Sequence, residues 1–249
     1  MGQVFLRNPV AIDGILQIIA ESQSESILEV GPGEGVLTIK LAEKSQVTAV
    51  EKDHRFALML KLKELPNLTV VEDDFLEFDL ATWIGAQSST PTVVGNIPYN
   101  ISTPIVMKII PLISQLKEAV FMVQKEFADR VAADCGNKNY GSLSVFCGLR
   151  CKIDKVLQVS RLDFSPVPQV DSTVIRIRNI LSEISPETLR STEKLTRHVF
   201  AQRRKKLSNS LKIFLNQKER DFEPPIDFNR RPEELSPLEF VTLANWLFH

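Results

Sequence analysis

The chain has 249 residues, a hydrophobic content of 43% and a net charge of −1, so it can bury a full core but is not basic throughout. It contains no apolar stretch of about 20 residues and no signal-peptide layout, which excludes a membrane-spanning helix and predicts a cytoplasmic protein. Its three cysteines form no CxxC pair, so we expect reduced thiols and no metal site.

Short β-branched or apolar runs alternate with helical patterns along the first half of the chain. The predicted strands are residues 27–30, 47–51, 68–71, 92–95 and 119–123. The predicted helices between them are residues 36–44, 53–65 and 103–113. Asp53 and Thr103 are the expected helix N-caps, and Pro111 should end the third helix early. This alternation predicts βαβ units in a parallel sheet.

Two later runs, residues 155–159 and 173–177, are separated by a Pro-containing link that is too short for a crossover helix, so they should pair antiparallel. The β-like patterns stop after Arg178, and Ser185-Pro186 opens a stretch that is helical in pattern to the end. We therefore predict an α/β fold. A Rossmann-like sheet, mostly parallel with an antiparallel edge, should occupy residues 1–180, and a small helical domain should occupy residues 181–249.

A glycine-rich loop with the sequence GPGEG follows the first predicted strand, where doubly wound folds bind nucleotides. Gly31 and Gly33 allow a ligand to approach the backbone. A dinucleotide fingerprint would need a third glycine where Val36 stands. Glu29 and Glu34 would repel a pyrophosphate but attract the sulfonium of S-adenosylmethionine. The loop therefore favours S-adenosylmethionine over NAD.

Carboxylates stand at the ends of the next two predicted strands. Glu51 closes the second strand, where an acid can accept hydrogen bonds from both hydroxyls of a ribose. Asp73 and Asp74 end the third strand, and a carboxylate there suits an adenine amine, although an ordinary solvated turn uses the same residue types. Both strand ends are consistent with a nucleoside-containing cofactor.

The fourth predicted strand ends in Asn96-Ile97-Pro98-Tyr99, whose chemistry suits an adenine amine. The lone pair of that amine is delocalised into the ring, so a catalyst must hold its hydrogens with fixed oxygens while an aromatic face holds the base. Asn96 supplies a carbonyl oxygen, Pro98 fixes φ, and Tyr99 supplies the face. The alternative is an ordinary turn. Its place beside the acidic strand ends favours a methyltransferase that acts on a nucleic-acid base.

A basic run lies in the predicted helical domain. From Arg190 to Lys212 there are eight basic residues and one acid, Glu193, which leaves a charge of −8 on the rest of the chain. Arg203, Arg204, Lys205 and Lys206 would cover a whole turn of a helix, so they cannot be only the outer stripe of an amphipathic one. A solvated helix face is the alternative. The local charge favours RNA or DNA as a partner.

Together these residues resemble the ribosomal RNA adenine dimethyltransferase family over nearly all of the chain. The resemblance also includes GQVFL at 2–6, GNIPYNISTP at 95–104, VQKE at 123–126, YGSLSV at 140–145, FSPVPQVDS at 164–172 and QRRK at 202–205. It implies N6,N6-dimethylation of two adjacent adenosines in the 3′-terminal hairpin of small-subunit rRNA, with S-adenosylmethionine as donor and no metal. It also implies a role in small-subunit biogenesis, with the immature subunit as partner, and we expect a monomer.

The resemblance carries site residues with it. The implied cofactor contacts are Val4, Leu6, Gly31, Gly33, Glu51, Asp74 and Asn96. Asn96 and the Ile97 carbonyl would hold the amine, while Tyr99 and Phe164 would stack on the two faces of the base. A core aromatic is the alternative for Phe164. Position 4 is usually Asn or His in the family, whereas Val4 offers only its backbone groups.

Three alternatives remain open at this point. A large-subunit rRNA methyltransferase of the antibiotic-resistance type shares the glycine loop and the Asn-Ile-Pro-Tyr chemistry, and a DNA adenine methyltransferase shares part of it. A non-enzymatic assembly factor could bind the small subunit through residues 203–206. The extent of the match favours the small-subunit enzyme.

Overall fold

The computed structural model describes residues 4–180, 184–215 and 223–248, so Gly2 and Gln3 of the first family motif lie outside the described residues. The chain forms two compact units. The first comprises Met1–Ala128 and Cys151–Ile180, and the second comprises Asp129–Arg150 and Leu181–His249. The predicted division into 1–180 and 181–249 therefore misses that residues 129–150 belong to the second unit, because their apolar side chains pack in its core.

A seven-stranded sheet forms the centre of the first unit. The seven strands are β2 (Ser26–Val30), β3 (Gln46–Glu51), β4 (Leu68–Glu72), β5 (Thr92–Asn96), β6 (Glu118–Gln124), β7 (Cys151–Val159) and β9 (Ser172–Asn179). Two short strands, β1 (Phe5–Leu6) and β8 (Phe164–Ser165), form a separate antiparallel pair. The strand order is β4-β3-β2-β5-β6-β9-β7. Strands β2 to β6 are parallel, and β9 is antiparallel to both β6 and β7. The predicted mostly parallel sheet with an antiparallel edge is confirmed.

Helices precede, connect and follow the parallel strands. They are α1 (Pro9–Ala20), α2 (Thr38–Ala42), α3 (His54–Lys61), α4 (Leu80–Gly85) and α5 (Ser102–Ile109), followed by α6 (Lys125–Val131), which crosses into the second unit. The Asp53 side chain accepts a hydrogen bond from the backbone N–H of Arg55 and caps α3, as predicted. The predicted cap at Thr103 is wrong, because a 3₁₀ turn at Tyr99–Ile101 leads directly into α5. As predicted, α5 ends before Pro111.

The central strands are buried on both faces, as parallel strands between helices usually are. One large apolar cluster fills the space between the sheet and α1, where Ile12, Ile15 and Ile19 pack with Val94 and Val120. The cluster also contains Leu6 of β1 and Phe164 of β8. The small β1–β8 pair is therefore attached to the main core of the first unit.

The second unit is helical around its own core. Its helices are α7 (Ser142–Gly148), α8 (Pro186–Phe200), α9 (Leu207–Ser210), α10 (Lys212–Leu215) and α11 (Pro237–Phe248). The Ser185 side chain accepts from the Thr188 N–H and caps α8, so the predicted start at Ser185-Pro186 is confirmed. The buried Tyr140 hydroxyl donates to the Leu235 carbonyl at 2.9 Å. Among the described residues, no helix has the length and apolar character to cross a bilayer, and no group of acids, histidines and cysteines could hold a metal.

Candidate active site

The polar strand ends meet at one edge of the sheet. Strands β4, β3, β2 and β5 are parallel neighbours in that order, so their carboxyl ends lie side by side. We call the glycine loop after β2, Glu51 and Asp74 the cofactor edge. We call residues 96–100, which follow β5, the catalytic turn. The fold thus brings together the strand-end residues that the sequence singles out.

The glycine loop has a left-handed backbone at three positions, with φ of +64° at Gly31, +55° at Gly33 and +81° at Gly35. A Cβ atom at Gly35 would lie 2.4 Å from the Leu60 side chain, so this glycine is required for packing. A Cβ atom at Gly31 would meet nothing within 4 Å. The backbone at Gly31 is therefore open to a ligand.

Glu51 is buried and oriented by backbone donors. Its Oε2 accepts a hydrogen bond from the Gly33 N–H at 2.9 Å, and its Oε1 accepts from the Asp53 N–H at 2.8 Å. A carboxylate oxygen can accept more than one hydrogen bond, so both oxygens retain acceptor capacity. This geometry fits the predicted bidentate acceptor for ribose hydroxyls.

Glu34 of the glycine loop and Glu29 of β2 do not present open negative charge, contrary to the expectation from the sequence. Glu34 forms an ion pair with Arg7, in which two guanidinium nitrogens lie 2.6 and 3.0 Å from its two oxygens. Glu29 is only 2% exposed, and burial raises its pKa to about 7. The Thr38 hydroxyl partly offsets this rise and the charge of Glu51 adds to it. Of these acids, Glu51 is the one held ready for a ligand.

Asp74 also has partners on both oxygens. Its Oδ2 accepts from the Lys52 ammonium at 2.7 Å, and its Oδ1 accepts from the Leu76 N–H at 2.9 Å. The hydrogen bond from Lys52 is the main cause that lowers the pKa of Asp74. The Lys52 side chain is 75% exposed, so solvent surrounds most of this ion pair.

Lys108 is a residue of this edge that the sequence analysis missed. Its ammonium donates to the carbonyls of Leu76 and Phe78 at 2.7 and 2.6 Å and lies 5.3 Å from the ring centroid of Phe75. Desolvation lowers the pKa of Lys108. Because α5 follows the catalytic turn directly, Lys108 ties the loop after β4 to that turn. A lone lysine in the apolar run IVMKII was the available signal.

The catalytic turn leaves two acceptors open. Asn96 is half-buried at the end of β5, and the Ile97 N–H donates to the Met122 carbonyl at 3.0 Å. Within the described ranges, no hydrogen bond reaches the Asn96 side chain or the Ile97 carbonyl oxygen. Two neighbouring residues thus keep free carbonyl oxygens at the sheet edge.

Neighbouring contacts hold this turn in place. The half-buried Tyr99 has its hydroxyl 3.0 Å from Oγ of the buried Ser172 at the start of β9. A Cβ atom at Gly95 would lie 2.7 Å from the Val30 carbonyl oxygen, so only glycine allows β5 to approach β2 this closely. The position of Asn96 therefore depends on the glycine before it.

The N-terminal segment lies against the glycine loop through the side chains of Phe5 and Arg7. The Leu6 side chain is buried in the core, and the partly buried Val4 packs against the same cluster. The expected cofactor contacts of these two residues stay predictions, and for Leu6 the burial leaves only backbone groups to make one. The alternate residues face the loop. The Phe5 ring would be 3.2 Å from a Cβ at Gly33, and Arg7 pairs with the loop acid Glu34. Successive side chains of an extended segment point to opposite sides, so residues 4 and 6 face the core while residues 5 and 7 face the loop.

Phe164 is not open to a base in this structure. It is 3% exposed, pairs with Leu6 in the β1–β8 ladder and packs within the main core. The expected stacking role is therefore corrected to that of a core aromatic, because β1 covers the ring.

The basic run lies in the second unit, and its segment Arg203–Lys206 is not helical as predicted. Helix α8 ends at Phe200, and Lys206 has an extended backbone because it is the N-cap of α9. We call Arg203–Lys206 the basic turn. Arg203 forms an ion pair with Glu233, and Lys206 donates to Asn229. Arg204 and Lys205 are exposed and have no ion pair within the described part of the chain.

Comparison with known proteins gives consistent matches over the whole chain. A family model described as Ribosomal RNA adenine dimethylase matches residues 1–249. A protein named Ribosomal RNA small subunit methyltransferase A from Aeromonas hydrophila is 38% identical, covering 99% of this chain and 92% of that protein. A protein of the same name from Leptothrix cholodnii is 36% identical, covering 98% of this chain and 89% of that protein.

Two solved structures share the fold. A dimethyladenosine transferase from Plasmodium falciparum is 27% identical with a TM-score of 0.75, covering 96% of this chain and 95% of that one. A 23S rRNA methyltransferase, ErmE, is also 27% identical with a TM-score of 0.71, covering 98% of this chain and all of that one. The fold of this chain thus recurs in one enzyme named for dimethyladenosine and in another named for 23S rRNA.

Proposed function

This chain belongs to the ribosomal RNA adenine dimethylase family, and we propose on that premise that it dimethylates two adjacent adenosines in the 3′-terminal hairpin of small-subunit rRNA. As a member of the family it is an rRNA adenine dimethyltransferase that uses S-adenosylmethionine. The small-subunit target is supported by relatives that carry this substrate in their names and are 35% to 38% identical. The immature small subunit is the proposed partner, and a monomer is the proposed active form.

The open acceptor pair at Asn96 and Ile97 is the main structural support for this proposal. The Asn96 amide oxygen and the Ile97 carbonyl oxygen would accept the two hydrogens of the adenine amine and turn its lone pair out of the ring plane. Tyr99 would stack on the base, a contact worth about 1–3 kcal/mol. Fixed acceptors of this kind act by positioning and by stabilising the charge that develops on nitrogen.

The cofactor edge fits S-adenosylmethionine, which supplies the methyl group when it is bound. The open backbone at Gly31 leaves room for a ligand. S-adenosylmethionine has no phosphate, so the loop needs no positive charge to bind it. Glu51 would accept hydrogen bonds from the ribose hydroxyls, and Asp74 would accept from the adenine amine in place of Lys52. Gly33 would contribute through its backbone, beside the Phe5 ring.

The target is tested by incubating the protein with labelled S-adenosylmethionine and unmethylated small subunits, large subunits or naked DNA. We expect label only in small-subunit RNA, as dimethyladenosine at two adjacent positions. Large-subunit rRNA is the second candidate because ErmE shares the fold over its whole length. Label only in large-subunit RNA would establish that candidate, and binding to small subunits without label would indicate an assembly factor.

The basic turn is the proposed RNA contact of the second unit. Arg204 and Lys205 are the available cations, since Arg203 and Lys206 have protein partners. Replacing both by alanine should reduce the slope of log K against log salt for RNA binding by about two, roughly one for each lost phosphate contact. Arg203→Ala is the matched control, and it should lower the thermal stability instead. An unchanged salt slope in the double variant would remove the basic turn from the interface.

A further inference from the structure

Two aliphatic side chains of the first unit are largely exposed on segments that are joined by a hydrogen bond between Asn8 and Asp163. Val10 in the first turn of α1 is 79% exposed, and Leu162 in the 3₁₀ turn Arg161–Asp163 is 74% exposed. We call these two residues the aliphatic rim. Scattered exposed aliphatic residues are common on protein surfaces and need no explanation. Here a set of hydrogen bonds holds the two segments together.

Asn8 makes the connection between the two halves of the aliphatic rim. Its Oδ1 accepts from the Val10 N–H at 2.9 Å, and its Nδ2 donates to Oδ1 of Asp163 at 2.6 Å. The Arg7 N–H donates to the Asp163 carbonyl at 2.7 Å. Val10 and Leu162 thus flank a single fixed contact, and their exposure is not the result of a loose loop.

The loop that carries Leu162 is linked to the catalytic turn through Ser172. The loop that carries Leu162 leaves β7 at Val159 and returns at Ser172, and these two residues are paired across β7 and β9. The base of the loop is closed by a hydrogen bond from the Arg161 N–H to Asp171 at 2.9 Å. Ser172 is also the residue that contacts the Tyr99 hydroxyl. The loop with Leu162 therefore ends at Ser172, whose side chain contacts the proposed base-stacking residue Tyr99.

The charge beside the aliphatic rim indicates the kind of partner. Arg161 is exposed, and its guanidinium donates only to the Gln169 carbonyl, at 3.4 Å, among the described residues. The neighbouring acid, Asp163, is already bonded to Asn8 and to the Ser160 N–H. Aliphatic side chains next to an available guanidinium fit a nucleic acid, which presents base faces beside phosphates.

We propose that Val10 and Leu162 are the surface on which the rRNA nucleotides next to the target adenosine dock. Extrusion of the target base exposes the faces of its neighbours, and aliphatic side chains that cover those faces replace part of the lost stacking. Arg161 contacts the adjacent phosphate. This inference rests on the proposed function, since it assigns part of the substrate to a surface beside the same catalytic turn.

Leu162→Ser and Val10→Ser test the surface in steady-state kinetics with ribosomal subunits as substrate. Loss of one apolar contact should raise the KM for the subunit roughly tenfold. The turnover number at saturating subunit and the dissociation constant for S-adenosylmethionine should stay unchanged. Leu162→Met should restore the wild-type KM, because it keeps the apolar surface.

Leu62→Ser is the matched control, since Leu62 is 72% exposed at the end of α3 and belongs to the same unit. All variants are measured on whichever subunit the wild-type protein labels, so failure of the small-subunit assignment and failure of the rim are separate results. Equal KM values for Leu162→Ser and Leu62→Ser would overturn the inference. An unchanged KM with an altered oligomeric state would also overturn it, in favour of a protein partner.

Discussion

The cofactor edge and the catalytic turn differ in how their polar groups are satisfied. At the cofactor edge, Glu51 and Asp74 already accept hydrogen bonds from nearby backbone N–H groups. At the catalytic turn, the Asn96 side chain and the Ile97 carbonyl have no partner among the described residues. At the cofactor edge, a ligand would therefore add hydrogen bonds to carboxylates that already have protein partners. At the catalytic turn, a ligand would supply the first hydrogen bonds to the two acceptors.

This difference has a physical consequence for substitutions. Removing a bonded group at the cofactor edge leaves a buried donor unsatisfied, so it should cost stability as well as affinity. Removing an open acceptor at the catalytic turn leaves no donor behind, so it should cost activity alone. The two regions can be separated by measuring stability and function on the same variants.

Asn96→Ala should have the largest effect on activity, and it should separate activity from stability most clearly. We expect methyl transfer to fall by about 100- to 1,000-fold, as when a fixed transition-state hydrogen bond is lost, with the melting temperature nearly unchanged. Single-turnover methylation and thermal unfolding measure the two quantities. Asn100→Ala, at the exposed end of the same turn, is the control and should keep its activity. A large loss of stability in Asn96→Ala would remove the contrast between the two regions.

Glu29→Gln tests the buried acid beneath the cofactor edge through the pH dependence of stability. The pKa of Glu29 rises from 4.5 to about 7 on folding, so the folded state binds the proton more tightly and the free energy of unfolding falls as the pH rises through that window. Glutamine does not titrate. The variant should therefore gain stability relative to the wild type between pH 4.5 and 7, by on the order of 3 kcal/mol.

Denaturant unfolding at pH 5 and pH 8 measures the change. The comparison between the two proteins cancels the other titrating groups, which both share. Parallel stability profiles for wild type and Glu29→Gln would show that the pKa of Glu29 does not change on folding.

Glu51→Gln should weaken both properties of the cofactor edge. One of its two backbone donors would face an amide N–H₂ group, so we expect a stability loss of about 1–2 kcal/mol and a 10- to 100-fold weaker binding of S-adenosylmethionine. Calorimetric titration and denaturant unfolding measure these changes. Glu72→Gln, at the end of the neighbouring strand, is the matched control. Lost affinity with full stability would show that the hydrogen bonds to Glu51 do not contribute to the fold.

Lys108→Met should give the smallest effect and sharpen the boundary between the regions. Loss of the two hydrogen bonds to the Leu76 and Phe78 carbonyls would loosen the loop that carries Asp74, so binding of S-adenosylmethionine should weaken by about tenfold. Turnover at saturating cofactor should be retained. Lys117→Met is the control, because Lys117 also donates to a backbone carbonyl but lies at the opposite ends of the strands. Equal affinities in the two variants would exclude a positioning role for Lys108.

The sequence predicts those features that depend on neighbouring residues. The strands, the Asp53 cap and the order of acids along the sheet edge follow from local pattern, because parallel strands place their carboxyl ends together. The assignment of Asn96, Tyr99 and the cofactor contacts remains a prediction. The structure adds to it that the acceptors at Asn96 and Ile97 are open.

Other features depend on partners that are distant in the chain, and local pattern does not identify those. Glu34 is neutralised by Arg7, which stands 27 positions earlier. Phe164 is buried because β1 pairs with β8. Residues 129–150 contribute Tyr140 to the core of the second unit, although they are surrounded in sequence by the first. In each case the pattern identifies a side chain but not the segment that contacts it.

The pairing of β1 with β8 also determines how late in synthesis the N-terminal strand can reach its native position. Phe5 pairs with Ser165, so the ribosome must add the intervening residues before β1 has its partner. At about 5–20 residues per second this takes roughly ten to thirty seconds. During that time the apolar side chains of Phe5 and Leu6 lack their final neighbours on β8. The segment over the glycine loop is therefore among the last parts of the first unit to reach its native position.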